Sequence, residues 1–490
     1  MLKHRRSFVL LFVGQNLQSR IETPIGFCYI GEFGAFPIGI PCFISPHEED
    51  CTITMITRRR FLEVGSATVG IVSAVGIPTV RAQSKAKKYR TALVGSGWWG
   101  MNILSAAIQS GTVEPVALVD VDRRQLTQAT AKIKEMMDVS PKTYGDYREM
   151  LEEQKPEIVI NATPDHWHPL ITIAANMAGA HVYVEKPVSH TILEGAAMVK
   201  TARATDRKVQ VGTHRRISPA NMAAMDFLRS GGAGKIGMIR AFVHYQGGPG
   251  EKTPDSDVPE GLDWNMWCGP GPLVPYNSRI HPRGFRAFME FANGQLGDWG
   301  VHWMDQVNWW NQDKEMPRMV ASTGGRFIKQ DHTDVPDAQN VVFQFNDFVL
   351  EWEHRQFAGN GPEHHNVGCY FYGTKGVLHL GWIEGATFYP GKDINAEPTW
   401  RAEAQLHEPD QQNIPELWAD FIDAIESDRL PLCDIDKGFR STVFSLLGML
   451  SLKIGRSVQW DHDNLKCIGD EEATKLLKRE YRAPFVYPEV

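Results

Sequence analysis

The chain has 490 residues, 42% hydrophobic and 22% charged, with a formal net charge of -7, the composition of a globular protein long enough for two or more packed domains. That acidic balance offers no basic field to a phosphate backbone, and no RNP, zinc-finger or basic-zipper pattern interrupts it, so nucleic acid is not an expected partner. Seven cysteines without a CxxC pair point to neither a zinc ribbon nor a dense disulfide framework, and only distant pairing in an oxidising compartment stays open.

Residues 1–54 contain Pro24, Pro37, Pro41 and Pro46 and sustain neither a period of 2 nor one of 3.6 residues. Met55 follows directly, two residues ahead of an arginine cluster. The stretch therefore reads as an over-extended N-terminus, with translation starting at Met55. Residues 55–82 hold Thr57-Arg58-Arg59-Arg60-Phe61-Leu62, which resembles a twin-arginine export signal. A mildly apolar run from Val64 to Ile77 follows, and Val80 and Ala82 are small residues suited to a cleavage site. The competing reading, a core helix opening on arginines, is weakened by its glycines and Pro78. Arg5-Arg6-Ser7-Phe8 is a rival pattern, but its apolar run ends after Val13. The expectation is periplasmic or other export through the twin-arginine machinery, with no membrane span left after processing.

Residues 83–215 read as a dinucleotide-binding domain. TALVGSGWWGMNILSAAIQSG is an apolar strand, a glycine turn and an amphipathic helix. In the turn, Gly95 permits the tight bend, Gly97 lets backbone approach a pyrophosphate and Gly100 allows close helix–strand packing, with Ser96, Trp98 and Trp99 between them. The next strand, VEPVALVD, ends at Asp120, 20 residues beyond Gly100, where a carboxylate accepts hydrogen bonds from an adenosine ribose and repels a 2'-phosphate. NAD is favoured over NADP on that ground. Asp122 is the fallback for the same role, and a helix-start residue is the plain alternative for either. The units PEIVINAT, AHVYVEKP and KVQVGTHRR continue the strand–helix alternation and imply a parallel doubly wound sheet with ligands at the strand carboxyl ends. The polar groups there are Asn161, Thr163, Pro164, Asp165, His166 and His168 on one loop, Glu185, Lys186 and Pro187 on the next, and His214 and Arg215 after the last.

A Rossmann strand that ends in Glu185-Lys186-Pro187, after GSGWWG, Asp120 and NATPDHWH and before an Asp298-x-x-x-His302 pair, resembles the glucose-fructose oxidoreductase / inositol dehydrogenase / MocA (Gfo/Idh/MocA) family. The resemblance runs from about residue 88 to 485, through FYGTKGVLHL and GDEEATKLLKREYRAPF. It implies a Rossmann domain followed, in residues 216–490, by an α/β domain whose open, mainly antiparallel sheet flanks the cofactor cleft and often mediates oligomers. A homo-oligomer is therefore expected. It also implies that Thr163, Pro164, His168, Glu185 and Lys186 border the cofactor. Family members often carry a glycine cluster before the Asp-x-x-x-His helix, whereas FANGQLGDWGVH disperses its glycines.

Oxidation of an alcohol needs a titratable group beside the hydroxyl. Asp298 and His302 stand at i,i+4 on one helical face, with Asp305 and Trp309 continuing the stripe, so Asp298 is expected to orient the imidazole or hold its proton. Histidine's ordinary pKa of about 6.5 suits proton transfer, whereas a lysine would need its value of about 10.4 depressed. His302 is the expected acid/base and Lys186 the donor that stabilises alkoxide-like charge; by family analogy Lys186 shares or takes over the proton transfer. The nearby His166 and His168 are a poor metal pair, with no carboxylate in register. His168 is expected at the cofactor side of the cleft and His166 in solvent.

The glycine- and proline-rich stretch from Gly247 to Phe288 holds too many aromatics for a plain linker. Packing is the first reading and substrate contact the second, with Arg215, Tyr245, Trp264, Arg283 and Trp299 as the candidates; Trp303 and Trp310 read as core. NVVFQFNDFVLEWEHRQF and YFYGTKGVLHLG alternate as strands, and helices near 415–427 and 437–455 close the chain. The expected function is an exported nicotinamide-dependent oxidoreductase acting on a sugar, polyol or glycoside hydroxyl. The alternatives are a redox-neutral enzyme that cleaves or epimerises a sugar through transient oxidation, and a non-catalytic sugar-binding protein. Export in the folded state implies an NAD held tightly and recycled in place.

Overall fold

The computed structural model describes residues 87–489 apart from residues 360, 362–364, 392–395, 409 and 411. The readings placed on residues 1–54 and 55–82 lie outside the described residues.

Apolar strands alternating with amphipathic helices build the first layer: β1 (Tyr89–Val94), α1 (Trp98–Gln109), β2 (Val113–Val119), α2 (Arg123–Met137), β3 (Lys142–Tyr144), α3 (Tyr147–Gln154), β4 (Ile158–Asn161), α4 (His168–Met177), β5 (His181–Val184), α5 (Ile192–Ala204) and β6 (Val209–Val211). All strand pairs are parallel, in the order β3-β2-β1-β4-β5-β6. The order of strand addition reverses between β1 and β4, so their carboxyl ends open a crevice where loops diverge.

The chain continues through α6 (Pro219–Arg229), β7 (Ile236–His244), α7 (Trp264–Cys268) and α8 (Val301–Trp310) into β8 (Met319–Gly325), β9 (Ala338–Gln344), β10 (Val349–Arg355), β11 (Val367–Gly373), β12 (Gly376–Gly381), β13 (Ala386–Pro390) and β14 (Trp400–Ala402). It closes with α9 (Ile414–Glu426), α10 (Ile435–Ile454), β15 (Val458–Asp461), β16 (Lys466–Cys467) and α11 (Glu471–Lys475). Ten strands form one open sheet, antiparallel except where β7 pairs β10. On its inner face lie α8 and α10. Helix α10 is apolar on most sides because it touches both α8 and the first layer's α5. Its Phe439, Val443 and Phe444 join a single core running from the parallel sheet into the second. The chain also doubles back: Leu417, Trp418, Phe421 and Ile422 of α9 pack with Leu104 and Ala107 of α1. Strand order in the chain is thus not spatial order, and the first layer is finished by residues more than 300 positions downstream.

No helix among the described residues is long and apolar enough to cross a membrane. The cysteines Cys268, Cys369, Cys433 and Cys467 are buried free thiols.

Candidate active site

A cavity of about 890 Å³ opens along the carboxyl ends of β1, β4 and β5 and is closed on its far side by the second half of the chain. At one end is the glycine turn. Gly95 has φ +89°, a left-handed conformation that glycine adopts without strain, and it passes so near β4 that a methyl group there would lie 2.6 Å from the Ala162 carbonyl oxygen. A methyl on Gly100 would come within 2.1 Å of the Gly95 carbonyl, whereas one on Gly97 would meet nothing within 4 Å. Gly97 therefore keeps space open rather than packing tight. Helix α1 begins without a side-chain cap or an acidic residue in its first turn, so its free amides can receive an anion. Asp120 lines the cavity, its two oxygens accepting the Ser96 and Asp122 amides at 2.8 and 2.9 Å. Burial lifts its carboxyl to about 6 against the pull of those amides. Asp122 caps α2 through the Arg124 amide and grips the Arg124 guanidinium, so the fallback position is a helix start. An open backbone cradle, an uncapped helix N-terminus and a ribose-type carboxylate together fit a dinucleotide.

At the other end the loop after β5 brings Lys186 against the turn that starts α8. Residues Leu296–Gly300 form a π-helical turn, of the kind often found at functional sites. Here the sequence expectation needs correcting. Asp298 does not orient His302: its Oδ1 accepts Lys186 Nζ at 2.8 Å and Arg286 Nε at 3.0 Å, and its carbonyl oxygen accepts Lys186 Nζ at 2.8 Å. Two cations take the carboxylate in place of the imidazole, because a charged donor binds it more strongly than a neutral ring. Burial alone would raise the Asp298 carboxyl, but Lys186 and Arg286 hold it down to about 2. Two of the three donors of Lys186 are therefore spent on Asp298, leaving one for a ligand oxygen.

His302 also lines the cavity, buried, with Nδ1 lacking a partner among the described residues. Burial, then the charges of Lys186, Arg215 and Arg286, hold it neutral. Asp305, expected on the same stripe, is instead buried in an ion pair with Arg216 and accepts Ser441 Oγ at 2.8 Å; it braces the core. Trp303 is buried as expected.

Thr163, Pro164, His168 and Glu185 line the cavity beside Ser96, Gly97, Trp98 and Trp99. His168 sits between the Pro187 and Thr163 carbonyls, at 2.7 and 2.8 Å, and burial lowers it to about 4. His166 departs from its expected solvent position. It is buried, with Nε2 3.0 Å from the Trp267 carbonyl, because the Gly247–Phe288 segment folds over it.

The substrate candidates divide. Trp299 lines the cavity. Arg215 lies behind the lining, its guanidinium 3.8 Å over the Trp382 ring, and Tyr245 stands edge-on to Trp299 at 6.2 Å. Trp264 is core: it stacks on Trp267 at 4.6 Å and donates Nε1 to the Val274 carbonyl. Arg283 lies 5.0 Å over Trp98 of the glycine turn, at the cofactor end. Two residues given no role from sequence, together with Asp165 of the loop after β4, complete the reacting end. Arg286 holds Asp298. Trp382, just past β12, packs 4.9 Å from both His302 and Trp299. Asp165 lines the cavity with its carboxyl pushed up to about 7, by burial first and Asp298 second, against the pull of Arg286 and Lys186. Arg286 stands three positions after Arg283, a weak local signal; Trp382 has none.

Residues 89–213 match the Gfo/Idh/MocA model described as "Oxidoreductase family, NAD-binding Rossmann fold", and residues 241–487 match its "C-terminal alpha/beta domain". A glycosyl hydrolase family 109 protein of Stenotrophomonas maltophilia is 28% identical over 224 residues, 44% of this chain and 47% of that protein. The chain thus matches about half the length of such curated relatives. Among solved structures, the WlbA dehydrogenase of Bordetella pertussis in complex with NADH and UDP-GlcNAcA superposes with a TM-score of 0.56 at 19% identity, over 76% of this chain and 99% of that one. The aldose-aldose oxidoreductase of Caulobacter crescentus complexed with glycerol gives a TM-score of 0.56 at 17% identity, over 76% and 100%. Both likenesses are of fold.

Proposed function

The chain belongs to the Gfo/Idh/MocA oxidoreductase family and carries its NAD-binding domain, and from that premise we propose an exported NAD-dependent oxidoreductase acting on a sugar, polyol or glycoside hydroxyl. The observation that carries the reading is the meeting of Lys186, Asp298 and His302 at one end of a cavity whose other end is the glycine turn and Asp120. A binding module has no use for a buried neutral imidazole beside a carboxylate-held ammonium.

NAD bound along the turn supplies the hydride acceptor. The protein's own groups handle the proton. His302, kept neutral by burial and its cationic neighbours, takes the hydroxyl proton. The uncommitted Lys186 donor holds the reacting oxygen and stabilises its developing charge. Asp298 fixes the Lys186 ammonium, Arg286 fixes Asp298 through the same carboxylate oxygen, and Trp299 and Trp382 keep water from the reacting oxygen. Their flat faces suit the C–H faces of a sugar ring.

A redox-neutral reaction, glycoside cleavage or epimerisation through transient oxidation, is the second reading. Asp165 favours it, as a further group able to hold or release a proton near neutrality, and so, weakly, does the name of a relative matched over 47% of its length. Twin-arginine export and a homo-oligomeric state belong to the same proposal, on the sequence reading. The test is to purify the mature protein, measure bound cofactor by absorbance, and screen sugars with and without an external acceptor. Turnover that consumes added NAD supports a dehydrogenase, product without net NAD reduction supports the second reading, and no turnover of any carbohydrate sinks both.

A further inference from the structure

Resting on the dinucleotide reading of the cavity, we propose that residues 261–286 form the second wall of the dinucleotide site and hold the cofactor between turnovers, with Arg283 on Trp98 as the latch. The segment follows the groove from end to end. At the Asp120 end its backbone is sewn to the first layer: Gly261 accepts the Arg123 amide at 2.9 Å, the Asp263 amide donates to Val121 at 2.9 Å, and Leu262 bridges Asp122. His281 returns to the same end, within electrostatic reach of Asp122 and Arg124. Two residues on, Arg283 covers Trp98 at 5.0 Å. Three further on, Arg286 reaches Asp298. Five residue steps span at most about 17 Å of extended chain, so one short run touches the ribose-type carboxylate's neighbour, the glycine turn and the reacting end in sequence. Met266, Trp267, His281, Pro282, Arg283 and Phe285 all line the cavity.

The segment has its own core of Leu262, Trp264, Trp267, Cys268, Tyr276, Ile280 and Phe285, where a mobile lid would lack one. It is pinned beneath as well. The His166 and Trp167 rings each approach the Trp267 carbonyl at 3.0 Å, and the Arg482 guanidinium reaches the carbonyls of Asn265, Gly269 and Gly271 at 2.8, 2.9 and 3.0 Å. A wall held on three sides leaves the Arg283–Trp98 contact, where both side chains are exposed, as the part that yields. Arg283 also sets a cation beside the free amides of α1, where an anionic ligand is favoured.

Retention is measured without reference to turnover. Purified protein is loaded with NADH, excess is removed by gel filtration, and release is followed by the loss of NADH fluorescence on dilution into unlabelled NAD. The wild type should retain NADH through the column. Arg283→Ala and Trp98→Ala should each release it at least fivefold faster, with thermal midpoints in the absence of NAD unchanged. Amide exchange over residues 261–286 should slow when NAD is bound. Release rates within twofold of the wild type in both variants, or loss of NADH from the wild type on the column, would overturn the wall's retaining role while leaving the cofactor reading intact. Failure of the wild type to bind NAD or NADH at any concentration would overturn the cofactor reading and the wall with it.

Discussion

The two sides of the cavity are made of different material. The first side is mostly backbone: Gly95, Gly97, Gly100 and the open amides of α1 do the shaping, with Asp120, Asp165, Glu185 and Lys186 at the strand ends. The second side is side chain: Arg286, Asp298, His302 and Trp382 come from separate turns spread over almost a hundred positions. A backbone cradle is fixed by local steric rules, so a change there alters fold or binding. A converging set of side chains is fixed by tertiary packing, so a change there alters chemistry while the fold stands.

Replacing His302 by Ala should divide the comparison most sharply. Loss of the general base should lower kcat by about 10²–10⁴, with NAD affinity by fluorescence titration within a few-fold of the wild type. A kcat loss below tenfold would remove His302 from the proton transfer. Lys186→Met comes next, with an expected loss of about 10²–10³, the usual cost of one donor to a developing oxyanion. It should also free Asp298 from its strongest partner, and Asp298→Asn in the same background should then add little, because the two residues act as a unit. Additive losses would mean that Asp298 has a separate role.

On the backbone side the glycines separate packing from binding. Gly100→Ala pushes a methyl to within 2.1 Å of a carbonyl oxygen that cannot yield and should cost about 3 kcal/mol of stability, read by denaturant midpoint. Gly97→Ala meets no protein atom within 4 Å, so its midpoint should not move, while NAD affinity falls about tenfold, or 1.4 kcal/mol. Should both variants lose stability equally, Gly97 would be a packing residue.

Asp165 gives the smaller, pH-dependent effect. Its carboxyl titrates near about 7 in the folded protein against an ordinary 3.8, so between these values the native state keeps a proton that the unfolded chain has lost. Stability therefore falls as pH rises through that window and levels off above it. Asp165→Asn removes the term, and the difference in thermal midpoint between pH 5 and pH 8 should narrow. Burial and its cationic neighbours hold His302 well below the ordinary histidine range, so an inflection near pH 7 in kcat/KM that vanishes in Asp165→Asn belongs to the carboxyl. An inflection that survives belongs elsewhere.

What could be read from sequence follows this same division. The glycine turn, Asp120 and the strand–helix alternation were legible because each depends on neighbours within about 30 residues. Lys186 and His302 were legible only through the EKP and Asp-x-x-x-His resemblance. The Asp298–Lys186 pairing was not, because the two residues are 112 positions apart and only the fold brings them together. Trp382 sits on a hairpin with no chemistry in its surroundings, and only the approach of β12 to α8 gives it a role. Arg283 was assigned to substrate for want of any local sign that its segment folds back across the glycine turn.

Trp264 and Trp382 turn the comparison into a paired test within one residue type. Trp264 lies in the core of the covering segment, and its indole nitrogen donates to the Val274 carbonyl at 2.7 Å. In Trp264→Phe that carbonyl loses its donor, at a cost of about 1 kcal/mol, and KM for any sugar should stay within twofold of wild type because no atom of Trp264 reaches the cavity lining. Trp382→Phe keeps an aromatic face but shrinks the platform beside His302 and Trp299, so its KM should rise severalfold with little change in the thermal midpoint. If Trp264→Phe is the variant that moves KM, the covering segment transmits its packing to the reacting end, and its aromatic core is then part of substrate recognition as well as of the wall.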